Sequence, residues 1–406
     1  MKALILAAGK GTRMHPLTPE IQKQMLPVAG KPILQHAVDD LEEEIEEIII
    51  LTNGDSKEVK ENLRSENTDL KYIKQEKPLG TAHAVSKVRK NIKKDFLCLN
   101  GDVLIYKKYM KRFIEEFKKS EDSLIGTVEV ENPKSYGVID KKGKKVVDIL
   151  EKPSEPPTNL INAGIYGFTP KIFEAIDETE KSDRGEYEIT DSMKILMKEE
   201  EIKEYTIPKE NWHELSRPWD LLKPNKEVMK REIERKIKGK VDKNVKIEGK
   251  VFVEEETRIK HGSYVKGPVY IGKNCEIGPN AFIRPYTHID DKCKIGNSSE
   301  VKNSIVMENT KANHHNYIGD SVVGKNCNLG AGTKIANLRF DHGEIEVTQK
   351  GEKTNTGRKK LGAIIGHNVK TGVNSNINPG TIVDRNSFLG PGKTVKGEVK
   401  KGRRSK

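Results

Sequence analysis

At 406 residues, with 34% hydrophobic and 33% charged side chains, the chain is too long for one comfortable core and too poor in apolar residues to be an ordinary globule throughout; part of it must be a repetitive β architecture. Its formal charge of +12 comes from basic residues interleaved with acids along most of the length, which points away from nucleic acid and towards small anionic substrates. No apolar run is long enough to cross a bilayer and no secretory leader precedes the first strand, so a cytoplasmic protein with no membrane partner is expected.

Ala3–Ala7 reads as a short buried strand, and Gly9-Lys10-Gly11 behind it allows a tight turn whose successive N–H groups point at one anion. Such a turn cradles phosphate. Arg13 and Lys23 set fixed positive charge beside it, as a reaction that loads negative charge onto phosphate oxygens requires. The pattern then predicts a helix over 32–41, a strand over 47–52, a helix over 56–63, a strand over 95–99 and a helix over 107–118. This alternation implies a mostly parallel sheet with helices on both faces and ligands at the carboxyl ends of its strands. Asp102, just past one such end, is a hard oxygen donor suited to Mg2+.

Residues 224–239 place Val228, Ile233 and Ile237 near helical spacing and predict an amphipathic connecting helix. From Ile247 an apolar residue recurs at every sixth position, through Val253, Ile259, Val265, Ile271, Ile277, Ile283, Ile289, Ile295, Val301 and Met307. That period predicts a hexapeptide-repeat solenoid with short strands and a core of stacked aliphatics. The rhythm slips at Asn313 and returns out of phase at Val323; a second break spans 336–361 before Ile365 restarts it. Both breaks are expected to project loops, where chemistry collects. Cys98, Cys275, Cys293 and Cys327 form no Cys-x-x-Cys pair, which excludes a zinc knuckle or redox motif. Cys275 and Cys293 would be stacked neighbours; a disulfide between them is conceivable, but reduced thiols are expected in the cytosol. The tail from Lys393 to Lys406 is a concentrated basic patch, either a solvated terminus or a hold on a phosphorylated cofactor.

Gly9-Lys10-Gly11-Thr12-Arg13, then Pro16-Leu17-Thr18, then Lys23-Gln24-Met25-Leu26-Pro27 resemble the signature of sugar-phosphate nucleotidylyltransferases. The resemblance implies an α/β Rossmann-like nucleotidyltransferase domain, in which a sugar 1-phosphate attacks the α-phosphorus of a nucleoside triphosphate and pyrophosphate leaves. Leu6, Ala7, Ala8, Gly9 and Gly11 would line the nucleotide, Arg13 would hold the departing pyrophosphate, and Lys23 would bridge charge near the α-phosphate. Residues 75–83 look like the family's base-recognition segment, which assigns Gln75, Gly80 and Thr81 to a pyrimidine and leaves His83 structural. Segments around Gly137, Glu151-Lys152 and Asn162 resemble the sugar-binding segments, while Glu186–Asp191 either joins them or caps a helix. Asp220 matches the family's second acidic ligand, so Asp102 and Asp220 would share Mg2+ with phosphate oxygens. Each also has a plainer reading as a turn or helix cap.

Further on, Arg284-Pro285, Glu300-Val301-Lys302, Asn313-His314-x-x-Tyr317-Ile318-Gly319-Asp320, Asn328-Leu329-Gly330-Ala331-Gly332-Thr333 and Asn337 stand in the same order as the acetyltransferase site of the bacterial bifunctional glucosamine-1-phosphate acetyltransferases and uridylyltransferases. This second resemblance implies a left-handed parallel β-helix. His314 would be the base that deprotonates the amine as it attacks a thioester. Arg284 and Lys302 would hold the sugar phosphate, Tyr317 and Asn328 the sugar, and Asn337 would orient the imidazole or the acceptor. The N–H near Ala331 would face the carbonyl oxygen, and Lys360 stands in for the catalytic lysine. His315 departs from the aliphatic residue usual there.

The expected division is 1–222 for nucleotidyl transfer, 223–240 for the linker helix and 241–406 for the β-helix acetyltransferase. Substrates would be glucosamine 1-phosphate, acetyl-CoA and UTP, with dTTP beside UTP because the Lys23–Pro27 wording is closer to thymidylyltransferases. The family implies a homotrimer. Two rivals stay open: a plain nucleotidylyltransferase whose solenoid only oligomerises, and a non-catalytic scaffold of the exchange-factor type.

Overall fold

The computed structural model describes residues 1–54 and 57–402, and the backbone alone of 404–405. Ser56, the expected start of the second helix, and the side chains ending the basic tail lie outside the described residues. Two compact units result, one from Met1–Lys10 with Ile33–Glu214, the other from Gly11–Pro32 with the chain from Leu215 onward. Among the described residues no helix is long and apolar enough to cross a membrane.

The first unit is built on a nine-stranded sheet. Its strands are β1 (Lys2–Ala7), β2 (Glu47–Asn53), β3 (Asp69–Gln75), β4 (Phe96–Asn100), β5 (Leu124–Glu129), β6 (Gly137–Lys142), β7 (Lys145–Glu151), β8 (Leu160–Phe168) and β9 (Lys203–Thr206). Their order is β3-β2-β1-β4-β8-β5-β9-β7-β6. The first four pair in parallel, and their apolar runs, such as Ile48–Leu51, are buried as strands covered on both faces must be.

The expectation of a mostly parallel sheet is met: β9 pairs with β5 in parallel, and only β7 and β8 run against the other seven strands. β8 runs antiparallel to β4 and β5, and β6 and β7 form a hairpin. The cause is connection length. Only a short turn at Gly143 joins β6 to β7, and a parallel return needs a crossover of about a dozen residues. The helices Ile33–Leu41 and Lys107–Lys118 form where their periodicity placed them, the latter burying Met110, Phe113, Ile114 and Phe117.

In the second unit three sheets of nine, nine and eight strands form the faces of a left-handed parallel β-helix. Each coil stacks its aliphatic on the next, as Val253 on Ile271 on Ile289. Corners are turned by left-handed residues, many of them asparagine: Asn274, Asn280, Asn326, Asn368 and Asn374 have φ between 53° and 59°, which asparagine tolerates better than most. Cys98, Cys275, Cys293 and Cys327 are all buried free thiols.

The first break differs from its expectation. Ile289 pairs with Val306, Ile295 with Ala312 and Val301 with Ile318, so the coil shortens by a residue just before Val306. Met307 and Asn313 therefore leave the stack. Residues 313–320 form no projecting loop; they are two ordinary rungs, Lys311–His314 and Tyr317–Gly319, around a corner at His315 with φ 52°. A β-branched aliphatic would be strained at that corner. The second break does project, as an antiparallel hairpin of Glu346–Gln349 and Glu352–Asn355. The connecting helix spans Leu222–Glu232 and stops short of Gly239, because Lys236–Ile237 already pairs with Phe252–Val253 as the first rung.

Candidate active sites

In the first unit the cradle opens where β1 ends. Gly9 is exposed with nothing within 4 Å of where its Cβ would lie, so its backbone is open to a ligand. The flanking Leu6 and Ala8 carbonyls are held by the Gly101 N–H at 2.9 Å and the Asn53 amide at 3.0 Å. Gln75, buried at the end of β3, donates from Nε2 to His83 Nδ1 at 2.9 Å. Burial, then Lys87, lowers the His83 pKa and keeps that nitrogen an acceptor. His83 thus has a partner that its sequence position did not reveal. Gly80, at φ 118°, lies against the Tyr187 backbone, where a Cβ would sit 2.3 Å from the carbonyl oxygen. Thr81 Oγ1 accepts from the Ile189 N–H at 2.9 Å, which ties the base-recognition segment to residues 187–189. Asp102 follows β4 and is half-buried.

A cavity of about 190 Å³ in this unit is lined by all the expected sugar residues, Gly137, Glu151, Lys152 and Asn162, together with Thr81. Glu151 Oε1 meets Lys152 Nζ and Arg184 at 3.1 Å each. Arg184 also reaches Glu186 at 3.2 Å and Glu188 at 3.1 Å. Burial raises the Glu188 pKa against the pull of Arg184. Of residues 186–191, Glu186, Glu188, Ile189 and Thr190 line this cavity. Glu188 occupies the N-cap of the helix Ile189–Leu196 but makes no side-chain capping bond.

The segment carrying Arg13 and Lys23 belongs to the second unit. Gly11, at φ 61°, starts a single 3-10 turn, Thr12–Met14, and its carbonyl accepts from Thr18 Oγ1 at 2.7 Å. Arg13 is exposed, and Lys23 is buried. Asp220 Oδ2 accepts the N–H groups of Arg217 at 2.6 Å and Ser216 at 3.0 Å, so the helix-start reading holds for one carboxylate oxygen. Burial raises the Asp220 pKa; those two N–H groups, then Arg358 and Lys23, oppose it. Its other oxygen makes no hydrogen bond among the described residues. A half-buried Asp102 and an Asp220 with one uncommitted oxygen are hard donors that fit Mg2+. Among the described residues no three His, Cys, Asp or Glu side chains gather as metal ligands.

On the solenoid the rung Glu300–Lys302 lies beside Tyr317–Gly319. Asp320 gathers the side chains around them: it accepts from Lys302 Nζ at 3.3 Å, from Asn303 Nδ2 at 2.6 Å and from Asn337 Nδ2. Arg284 pairs with Glu300 at 2.7 Å. Asn337 also bonds the Tyr317 phenol, whose pKa burial raises. Asn337 thus meets both Asp320 and Tyr317. His314 is exposed at the end of its rung, and its imidazole makes no hydrogen bond among the described residues. Its carbonyl accepts from the Gly332 N–H at 2.9 Å, next to Ala331. Asn328 pairs with Lys311 on the same face. Lys360 bridges to Leu338, beside Asn337.

Comparison with known proteins follows this geometry. A family model described as nucleotidyl transferase matches residues 2–231, and one described as the GMPPB C-terminal domain matches 265–401. The chain is 43% identical to the bifunctional protein GlmU of Methanococcus aeolicus, over 99% of this chain and 96% of that one. It is 40% identical to the bifunctional sugar-1-phosphate nucleotidylyltransferase/acetyltransferase of Sulfurisphaera tokodaii, over 98% of each chain. This chain belongs to the GlmU family. A crystal structure of UDP-glucose pyrophosphorylase complexed with UDP-glucose matches with a TM-score of 0.53 and 26% identity, over 57% of this chain and 98% of that one.

Within this GlmU-family chain, His83, Arg184 and Asp320 are the residues that sequence reasoning passed over. Asp320 stood inside a quoted motif and Arg184 just before one, and the available signal was charge beside residues expected to bind phosphate or a sugar. His83 had no signal, because its partner meets it only through the fold.

Proposed function

We propose that this enzyme acetylates glucosamine 1-phosphate with acetyl-CoA and couples the resulting N-acetylglucosamine 1-phosphate to UTP, releasing pyrophosphate. The observation that carries the reading is 40–43% identity over nearly the whole chain to relatives named bifunctional, one of them a nucleotidylyltransferase/acetyltransferase. Residues 1–222 serve nucleotidyl transfer, 223–240 connect, and 241–406 serve acetyl transfer. In the first reaction the backbone of Leu6–Gly9 and Gly11 lies along the nucleotide, Gln75, Gly80 and Thr81 read the pyrimidine, and Gly137, Glu151, Lys152 and Asn162 hold the sugar. Arg13 holds the pyrophosphate as its charge develops, and Lys23 offsets charge near the α-phosphate. Asp102 and Asp220 would hold Mg2+, which supplies further neutralisation of phosphate charge when bound.

In the second reaction the amine of the acceptor attacks the thioester carbon, His314 takes the amine proton, and the CoA sulfur leaves with the bonding pair. The Ala331 N–H donates to the carbonyl oxygen as it gains charge. Arg284 and Lys302 hold the sugar phosphate, Tyr317, Asn328 and Asn337 its hydroxyls, and Lys360 the CoA side. dTTP serves beside UTP, and the working form is a homotrimer.

Two release assays test the reading. Free CoA should appear when glucosamine 1-phosphate meets acetyl-CoA, and pyrophosphate when N-acetylglucosamine 1-phosphate meets UTP. Pyrophosphate without CoA would leave a nucleotidylyltransferase whose solenoid does no acylation.

A further inference from the structure

The hairpin of the second break stands on the solenoid through Ile345 and Val347, both buried. It approaches closely: at Gly380, φ 74°, a Cβ would lie 2.5 Å from the Glu346 carbonyl oxygen. Gln349 ends its first strand and is only 6% exposed. Nε2 of Gln349 donates to the carbonyl of His15 at 2.7 Å and to that of Arg13 at 3.2 Å. Its Oε1 accepts from Arg217 at 2.8 Å. The amide therefore spends both N–H donors and its oxygen in fixed directions. One of those partners is the peptide of Arg13 itself. Another is Arg217, whose N–H binds Asp220 Oδ2.

The segment being held has little to hold it by itself. Thr12–Met14 is a single 3-10 turn, closed by Met14 N–H to Gly11 C=O at 2.9 Å, and so short a turn has weak geometry and few bonds of its own. Solenoid residues fix it further along, through His367 Nε2 at 2.7 Å from the Leu17 carbonyl and Arg385 at 3.1 Å from Glu20. Arg358, on the returning limb of the same break, is within electrostatic reach of Asp220; burial lowers its pKa, and Asp220, then Asp320, oppose the shift.

We propose that Gln349 is a positioning residue for nucleotidyl transfer: by fixing the Arg13 and His15 carbonyls it sets the direction in which the Arg13 side chain leaves the backbone. A hairpin inserted in the acetyl-transfer half thus serves the other reaction. This inference rests on the nucleotidyl-transfer reading above. Displacing a positioned group by about 1 Å can cost about 100-fold in rate.

The test uses the full chain. Gln349→Met keeps the side-chain shape and removes all three hydrogen bonds. Gln349→Glu also removes the donors and sets a carboxylate against the two carbonyl oxygens. Pyrophosphate release from UTP and N-acetylglucosamine 1-phosphate is measured beside CoA release from acetyl-CoA and glucosamine 1-phosphate, on one preparation of each variant. Gln349→Met should lower the kcat of pyrophosphate release about 10- to 100-fold, leave the KM for the sugar 1-phosphate within about twofold, and leave CoA release at the wild-type rate. Gln349→Glu should be more severe on the first activity and as silent on the second. An unchanged kcat for pyrophosphate release in Gln349→Met would overturn the inference. So would a parallel fall of both activities, which marks a general role in folding. Absence of pyrophosphate release from the wild-type enzyme would overturn the nucleotidyl-transfer reading itself, and the inference with it.

Discussion

Gln75 gives one N–H to His83, which fixes the amide and leaves its oxygen and second N–H for the base that the proposed function assigns to it. A uracil or thymine ring matches that acceptor and donor with its imide N–H and the carbonyl beside it. Removing the hold should therefore loosen base recognition rather than chemistry. His83→Leu is expected to raise the KM for UTP about 3- to 10-fold, the worth of one hydrogen bond, with kcat little changed; steady-state kinetics with UTP varied would contradict this if KM stayed put. Asp320 plays the corresponding part on the solenoid, since Lys302, Asn303 and Asn337 all end on its carboxylate. Asp320→Ala should lower CoA release by about 100-fold or more, because it leaves a half-buried ammonium and two amides without their shared acceptor, while pyrophosphate release continues. Gln75 was legible from its motif. Its partner was not, because a strand end and a helix turn meet at that point only once the sheet has formed.

At the scale of elements, periodicity found the solenoid but placed its slip one repeat too late, and the reason is local. Val306 and Met307 are both apolar and both fully buried, so either satisfies the pattern; only strand pairing shows that Val306 stacks on Ile289. The consequence is testable. Ala312 is fully buried in the stack and Asn313 is half-buried outside it. Ala312→Asn should destabilise by about 2 kcal/mol or more through an unpaired buried amide and overpacking, and Asn313→Ala should stay within about 0.5 kcal/mol. Urea midpoints in the reverse order would restore the register that the six-residue count suggested. The sheet of the first unit teaches the same lesson, since its first helix and strand positions were readable while the reversal of β7 and β8 depended on how short their connections are.

For the whole molecule, buried histidines decide how stability follows pH. His288 is fully buried in the solenoid, its Nδ1 accepting from the Gly30 N–H at 3.4 Å; burial pulls its pKa down to about 3, with Asp291 opposing. His367 is lowered by burial as well. A folded pKa below the unfolded value of about 6.5 means the unfolded chain takes the proton first. The contribution of these histidines is therefore complete above about pH 6.5 and falls as pH drops towards 3, by up to about 1.4 kcal/mol per unit for His288. Thermal melts between pH 7 and 5 should show Tm falling, and His288→Gln, which keeps an acceptor and does not titrate, should flatten the slope. Parallel slopes for both proteins would contradict the assignment.

Two chemistries on one chain remain the central claim, and product trapping reaches it most directly. Glucosamine 1-phosphate, acetyl-CoA and UTP are incubated with wild-type, Arg13→Ala and His314→Ala proteins, and the products are weighed by mass spectrometry. Wild type should yield UDP-N-acetylglucosamine, Arg13→Ala should stop at N-acetylglucosamine 1-phosphate, and His314→Ala should form no acetylated sugar. An acetylated product from His314→Ala, or a UDP-sugar formed at the wild-type rate by Arg13→Ala, would contradict the account.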